Sequence, residues 1–269
     1  MLMLDAAIRS AIQRLPKGIL AFRFGALMKE MRLFPQVARG KLPPAALKRL
    51  EYLGEALGPL ANADEARRVQ WGTADQPIET NPSAGSHQIR RGGHGRNLKG
   101  IVDFRWEIQP IGRRQRVPEN RFLALWNSSV RIHLVDTGAA DDDREEVVAS
   151  WNFDVGDNQS PGCHFHAKFS HPKEEDRILL EDVDVPRLPC FIFMPTDAIE
   201  FVIGELWQDD WRKIAASGAK EMDMWRQFSR RRFEKLFAWY SSELGNTRGT
   251  PWAHLKCAKP DASVLLEEK

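Results

Sequence analysis

The stretch VVASWNFDVGDNQSPGCHFHAKF, residues 147–169, decides how the rest of the chain is read. Ala149, Trp151, Phe153 and Val155 alternate with Ser150, Asn152 and Asp154. The turn-forming segment GDNQSPG follows. Then Cys163, Phe165, Ala167 and Phe169 alternate with His164, His166 and Lys168. Side chains two positions apart on a strand share a face. A hairpin is therefore expected, with one apolar face. The other face would carry Asn152, Asp154, His164, His166 and Lys168.

Moving towards the N-terminus, the same period recurs. Phe104, Trp106 and Ile108 oppose Asp103, Arg105 and Glu107. The run from Phe122 to Asp136 sets Val130, Ile132 and Leu134 against Arg131 and His133, with a bulge expected at Asn127–Ser129. Towards the C-terminus, CFIFM at 190–194 is a candidate last strand. Consecutive strands joined by turns of this kind predict an antiparallel meander of four to five strands.

The flanks read as helices. Apolar residues at helical spacing predict helices over 4–15, 19–33, from Pro43–Pro44 to Gly58–Pro59, and over 64–71. A helix opened by Pro195-Thr196-Asp197 should run through Trp207 and on, with a break, to Ala216. The last should span 219–244, its stripe formed by Phe233, Leu236, Phe237, Tyr240 and Leu244. The predicted class is α+β, a central antiparallel meander with N-terminal and C-terminal helices packed on one face. The predicted organisation is a helical region over 1–71, a basic glycine-rich loop or linker over 72–100, a single α+β core over 101–250 and an irregular tail over 251–269.

Composition sets outer bounds. Apolar residues make up 42% and charged residues 28%, with a formal net charge of +2, as in ordinary globular proteins. The charge is unevenly placed. Residues 85–116 hold eight Lys or Arg against two acids, and residues 136–146 hold six acids against one Arg. Such asymmetry can orient an anionic partner, although two solvated loops would look the same. The three cysteines are irregularly spaced and form neither a disulfide framework nor a paired zinc motif. Asp5 and Arg9 interrupt the apolar N-terminus, so no secretory leader is expected. No stretch has the length of a membrane span. The expectation is a soluble, cytoplasmic protein without a membrane partner.

The polar face of the hairpin carries the chemistry. Two imidazoles at i and i+2 suit a divalent metal, with His171 or Asp154 completing the set; the candidate ligands are His164, His166 and His171. They equally suit general acid and base work on a phosphodiester, with Asp154 orienting a ring. Lys168, Arg187 and Arg131 would then bind phosphate, joined by Arg90, Arg91 and Arg96 of the basic loop. The predicted function is to act on or bind a phosphate-bearing ligand, a nucleic acid or a nucleotide. The alternative is a non-catalytic module that docks nucleic acid or a protein partner within a larger assembly. A solvated polar sheet face is the simplest reading of all.

Known histidine motifs do not fit. The HxHxH of histidine-triad hydrolases fails at its third place, which is Lys168. The cupin pattern wants a glutamate three or four residues after HxH, where Ser170 and His171 stand.

Overall fold

Alternation of apolar and polar residues is realised as a sheet of eight antiparallel strands in the computed structural model. The structure describes residues 6–63, 67–83, 87–88, 95–112, 117–137, 146–156, 163–170, 188–245 and 249–266. The first third of the chain holds α1 (Ala6–Gln13), β1 (Leu20–Arg23), α2 (Phe24–Val37), α3 (Pro44–Glu55), α4 (Gly58–Asn62), β2 (Val69–Gly72), β3 (Ile78–Glu79), β4 (His87–Gln88) and β5 (Gly95–Arg96). Then come β6 (Leu98–Ile111), β7 (Phe122–Asp136), β8 (Glu146–Val155), β9 (Phe165–Ser170) and β10 (Leu188–Pro189). The chain ends with α5 (Pro195–Ala215), α6 (Lys220–Gly245) and α7 (Pro251–Leu255). Strand order is β10-β9-β8-β7-β6-β2, with β1 also on β7 and β3 also on β6; β4 and β5 form a separate two-stranded pair.

The class is α+β with an antiparallel sheet, and β6 to β9 are the expected meander. The sheet has more strands than the four to five expected, because short segments from outside the meander join it. Residues 20–23 belong to the predicted helix over 19–33, yet they pair with β7 from Leu20↔Leu125 to Arg23↔Phe122. Leu20 and Ala21 are both fully buried. A strand covered on both faces shows no alternation, so helical spacing wins in the sequence. Likewise Val69–Gly72 lies at the end of the predicted helix over 64–71, and its Trp71 pairs with Trp106 of β6. Helix α2 starts only at Phe24 and carries Pro35 near its C-terminal end instead of stopping before it. CFIFM is not a strand. Only Leu188 and Pro189 pair with β9, and the Ile192 N–H donates to the Cys190 sulfur at 3.2 Å on the way to α5.

The bulge falls one position before its predicted place. Asn127 pairs with Glu107 but Leu125 pairs with Ile108, so Trp126 is the extra residue. A one-residue insertion reverses which side chains face the core. Leu123 and Leu125 precede it, and Ser128, Val130 and Ile132 follow it, all on the same buried side.

On that side the main core joins β6 to β9 to α2, α3, α5 and α6. Trp106 sits at its centre, fully buried and edge-on to Phe22 at 5.8 Å and Trp71 at 5.3 Å; each such pair contributes roughly 0.5–1.5 kcal/mol beyond area burial. Gly100 lets α5 approach β6, because a Cβ there would lie 2.1 Å from Val202 Cγ1. The opposite face has a smaller core near the start of β7, made by Ile8, Ile12, Ile19, Ile111, Phe122, Ala124, Ala262 and Leu266. The predicted break in α5 falls at Gln208, whose φ is 38° and ψ −108°. No helix among the described residues is long and apolar enough to cross a membrane.

Candidate functional site

The opposite face of the meander, beyond the smaller core, is polar, and the register builds it in rows. One row runs Asp103, Arg131, Asn152, Lys168 across β6, β7, β8 and β9. The next row is Arg105, Ser129, Asp154, His166. A third passes through His133, Ser150 and Ser170. Period two within each strand and direct pairing between strands place these residues together. Of the sequence-predicted residues, Asp154, His166, Lys168 and Arg131 thus share one surface. Arg105 and His133 stand on it too.

Asp154 is the electrostatic centre. Its carboxylate lies 3.2 Å from Lys168 Nζ and 3.6 Å from His166 Nε2. Burial pushes its pKa up, but the nearby His166 ring, Ser129 and the charge of Lys168 outweigh that and hold it at about 2. His166 Nδ1 is 2.9 Å from the Cys163 carbonyl, and its side chain is only 3% exposed. His133 Nδ1 sits 2.7 Å from Ser150 Oγ. Burial and then the neighbouring Arg131 lower the His133 pKa, and Asp103 partly offsets them.

His164, predicted for the same surface, is only 4% exposed. It precedes β9 instead of belonging to it, so strand alternation does not fix its direction. Its side chain is buried beside the Gly18 backbone and the Lys259 charge, and neither ring nitrogen makes a well-formed hydrogen bond. Burial, followed by Lys259, lowers its pKa to about 4. Cys163 is a buried thiol in the neighbouring turn, its pKa raised by burial.

Arg105 and Arg131 are exposed, whereas Lys168 and Asp154 are partly buried. His171, Arg187, Arg90 and Arg91 lie outside the described residues, and Arg96 is described only through its backbone in β5. Among the described residues, no three His, Cys, Asp or Glu side chains gather as a metal site would need. Cavities of about 430 and 320 Å³ open elsewhere, and neither is lined by Asp154, His164 or His166.

One polar cluster had no sequence signal. Arg232 of α6 bonds Glu30 of α2 at 2.9 Å and also Asp197 at the start of α5. Thr196 Oγ1 donates to the same Glu30, and Trp225 Nε1 donates to Glu200 at 2.7 Å. These residues are separated by up to 202 positions. Only the packing of three helices brings them together.

Comparison with known families, curated proteins and solved structures found no match.

Proposed function

We propose that this protein is a non-catalytic binding module that docks a phosphate-bearing partner, nucleic acid first among them, on the polar face of β6 to β9. The observation that carries the reading is the division of labour on that face. Its arginines, Arg105 and Arg131, are exposed on adjacent strands, while His164 and His166 are buried. Guanidinium groups in reach of solvent suit phosphate recognition. Buried imidazoles do not suit proton transfer to an incoming substrate. Lys168 adds a third cation one strand beyond Asn152. The basic loop residues Arg90, Arg91 and Arg96 would extend the contact.

A hydrolytic reading keeps one support, the Asp154–His166 pair. It requires that imidazole to turn away from the Cys163 carbonyl and meet the substrate.

Fluorescence anisotropy with labelled single-stranded and duplex oligonucleotides, titrated with NaCl, tests the proposal. Binding should weaken with salt at a slope of about 0.7–0.9 per phosphate contact in log–log form. Arg105→Ala and Arg131→Ala should each lower that slope by about 1. Absence of binding at low salt, or a slope untouched by both substitutions, would overturn the reading. Turnover of a phosphodiester such as bis-p-nitrophenyl phosphate, abolished by His166→Ala, would favour the hydrolytic one instead.

A further inference from the structure

The cavity of about 430 Å³ lies between β1, α2, α6 and the C-terminal residues Leu265 and Leu266. None of Arg105, Arg131, Asp154 and Lys168 lines it. Its volume falls in the range of small-molecule sites. Four rings form its apolar wall, Phe22, Phe122, Phe193 and Phe228. Two of them are held from behind. Phe22 stands edge-on to Trp106 at 5.8 Å, and Phe193 lies 5.5 Å from Phe165. The wall is therefore formed before any ligand arrives.

The other cations on the lining already have contacts of their own. Arg23 lies 5.5 Å from the Phe122 ring and Lys29 lies 5.4 Å from the Phe228 ring. Lys235 Nζ donates to the Leu265 carbonyl at 2.8 Å, and Arg231 is partnered as well. The polar pair that matters is Glu30 and Arg232, which both line the cavity with only 4% and 10% of their side chains exposed. Each carboxylate oxygen can accept twice, and Nη1 and Nη2 of a guanidinium each carry two N–H groups. Glu30 Oε1 accepts from Thr196 Oγ1 and from Arg232 Nη2, whereas Oε2 accepts from Arg232 Nη1 at 2.9 Å. Arg232 directs Nε and its other Nη2 hydrogen to Asp197. Among the described residues, one acceptor position on Glu30 Oε2 and one N–H on Arg232 Nη1 remain open, on atoms 2.9 Å apart.

A hydroxyl donates and accepts through one atom, so it complements that pair. A full charge does not, because an anion meets the Glu30 carboxylate and a cation meets the Arg232 guanidinium. Aromatic rings on a ligand match the rings of the wall. We propose that the cavity binds a neutral aromatic compound through a single hydroxyl, which donates to Glu30 Oε2 and accepts from Arg232 Nη1 while its rings pack on the phenylalanines. The site is separate from the sheet face, so either proposal can fail without the other.

Equilibrium dialysis of the full chain at neutral pH against p-phenylphenol, p-methoxybiphenyl and p-phenylbenzoate tests it. The phenol should bind with unit stoichiometry. The methyl ether keeps the rings and the acceptor but loses the donor, and it should bind about tenfold more weakly or worse, since the lost bond is to a charged group. The carboxylate should also bind more weakly than the phenol. This ligand series needs no change to the buried cluster, so it stands apart from any effect on folding. Ala26→Trp, placed at an exposed position on the lining, should fill the space and block the phenol in a chain that still unfolds cooperatively. The proposal is overturned if the phenol does not bind, if the ether or the carboxylate binds as well as the phenol, or if a cooperatively folded Ala26→Trp variant binds as the parent does.

Discussion

Two groups of charges in this protein meet opposite surroundings. On the sheet face, Asp154 keeps 19% of its side chain exposed while it holds Lys168 and His166. Between α2, α5 and α6, Arg232 keeps 10%, and its partners Glu30 and Asp197 keep 4% and 2%. The pairing chemistry is the same, but the energetic role is not. Near solvent, water replaces a lost partner, and an ion pair is worth about 0–1 kcal/mol. In the interior nothing replaces it, so each partner depends on the other. The buried group also carries two carboxylates on one guanidinium. Burial and the charge of Glu30 push Asp197 up to about 6, even though Arg232 pulls it down. The sheet face is built to exchange partners, and the helix cluster is built to keep them.

The largest expected effect follows from that contrast. Arg232→Ala leaves two buried carboxylates without a counter-charge and should cost about 3–5 kcal/mol. Arg131→Ala on the sheet face should cost less than about 0.5 kcal/mol. Urea denaturation of both variants measures the difference. Equal losses would mean that the helix cluster is as accessible to water as the sheet face.

His164 sharpens the comparison through pH. Burial and the neighbouring Lys259 lower its folded pKa to about 4, against 6.5 in the unfolded chain. Between those values the unfolded chain binds the proton and the folded one does not. Its contribution is therefore present above about pH 6.5 and is lost as the pH falls towards 4, by up to about 3 kcal/mol. Asp197 has the opposite sign. Its pKa is raised to about 6 from 3.8, so its contribution is present below about pH 4 and is lost as the pH rises through 6. His164→Gln should remove the first trend and leave the second. Relative to the parent, the variant should gain stability steadily from pH 6.5 to pH 4 in urea titrations. A constant difference across that range would refute the assignment.

The sheet face was legible in the sequence because its information is local. Two residues on one strand share a face whatever else the chain does, and that placed Asp154, His166, Lys168 and Arg131 together. Where backbone geometry departs from the strand, the inference stops. His164 lies one residue outside β9, and period two says nothing about its ring. Strand β1 was hidden because Leu20 and Ala21 are buried on both faces. The Glu30–Arg232 contact had no signal at all. A carboxylate on α2 and a guanidinium on α6 show in the sequence as two solvated charges, and only helix packing turns them into a buried pair. The cavity beside them was hidden for the same reason, since its lining comes from both ends of the chain.

An effect smaller than those of Arg232 and His164 discriminates best between the two readings of the sheet face. Asp154 is held at about 2 because His166, Ser129 and Lys168 outweigh its burial. Its contribution is thus present above about pH 4 and is lost as the pH falls through 2. Allowing for its partial exposure, that is worth about 1–2 kcal/mol. Asp154→Asn should lose this amount at pH 7, and the deficit should close between about pH 4 and pH 2. On the same face, the substitution removes the negative charge beside Lys168. A docked polyanion then meets one repulsion fewer. Oligonucleotide binding should stay equal or tighten, with the salt slope undiminished, while Arg131→Ala weakens it. If Asp154 instead orients His166 for proton transfer, Asp154→Asn should abolish turnover of a phosphodiester that the parent hydrolyses. A variant that binds more tightly, from a parent with no turnover, fits only a surface that holds phosphate without cutting it.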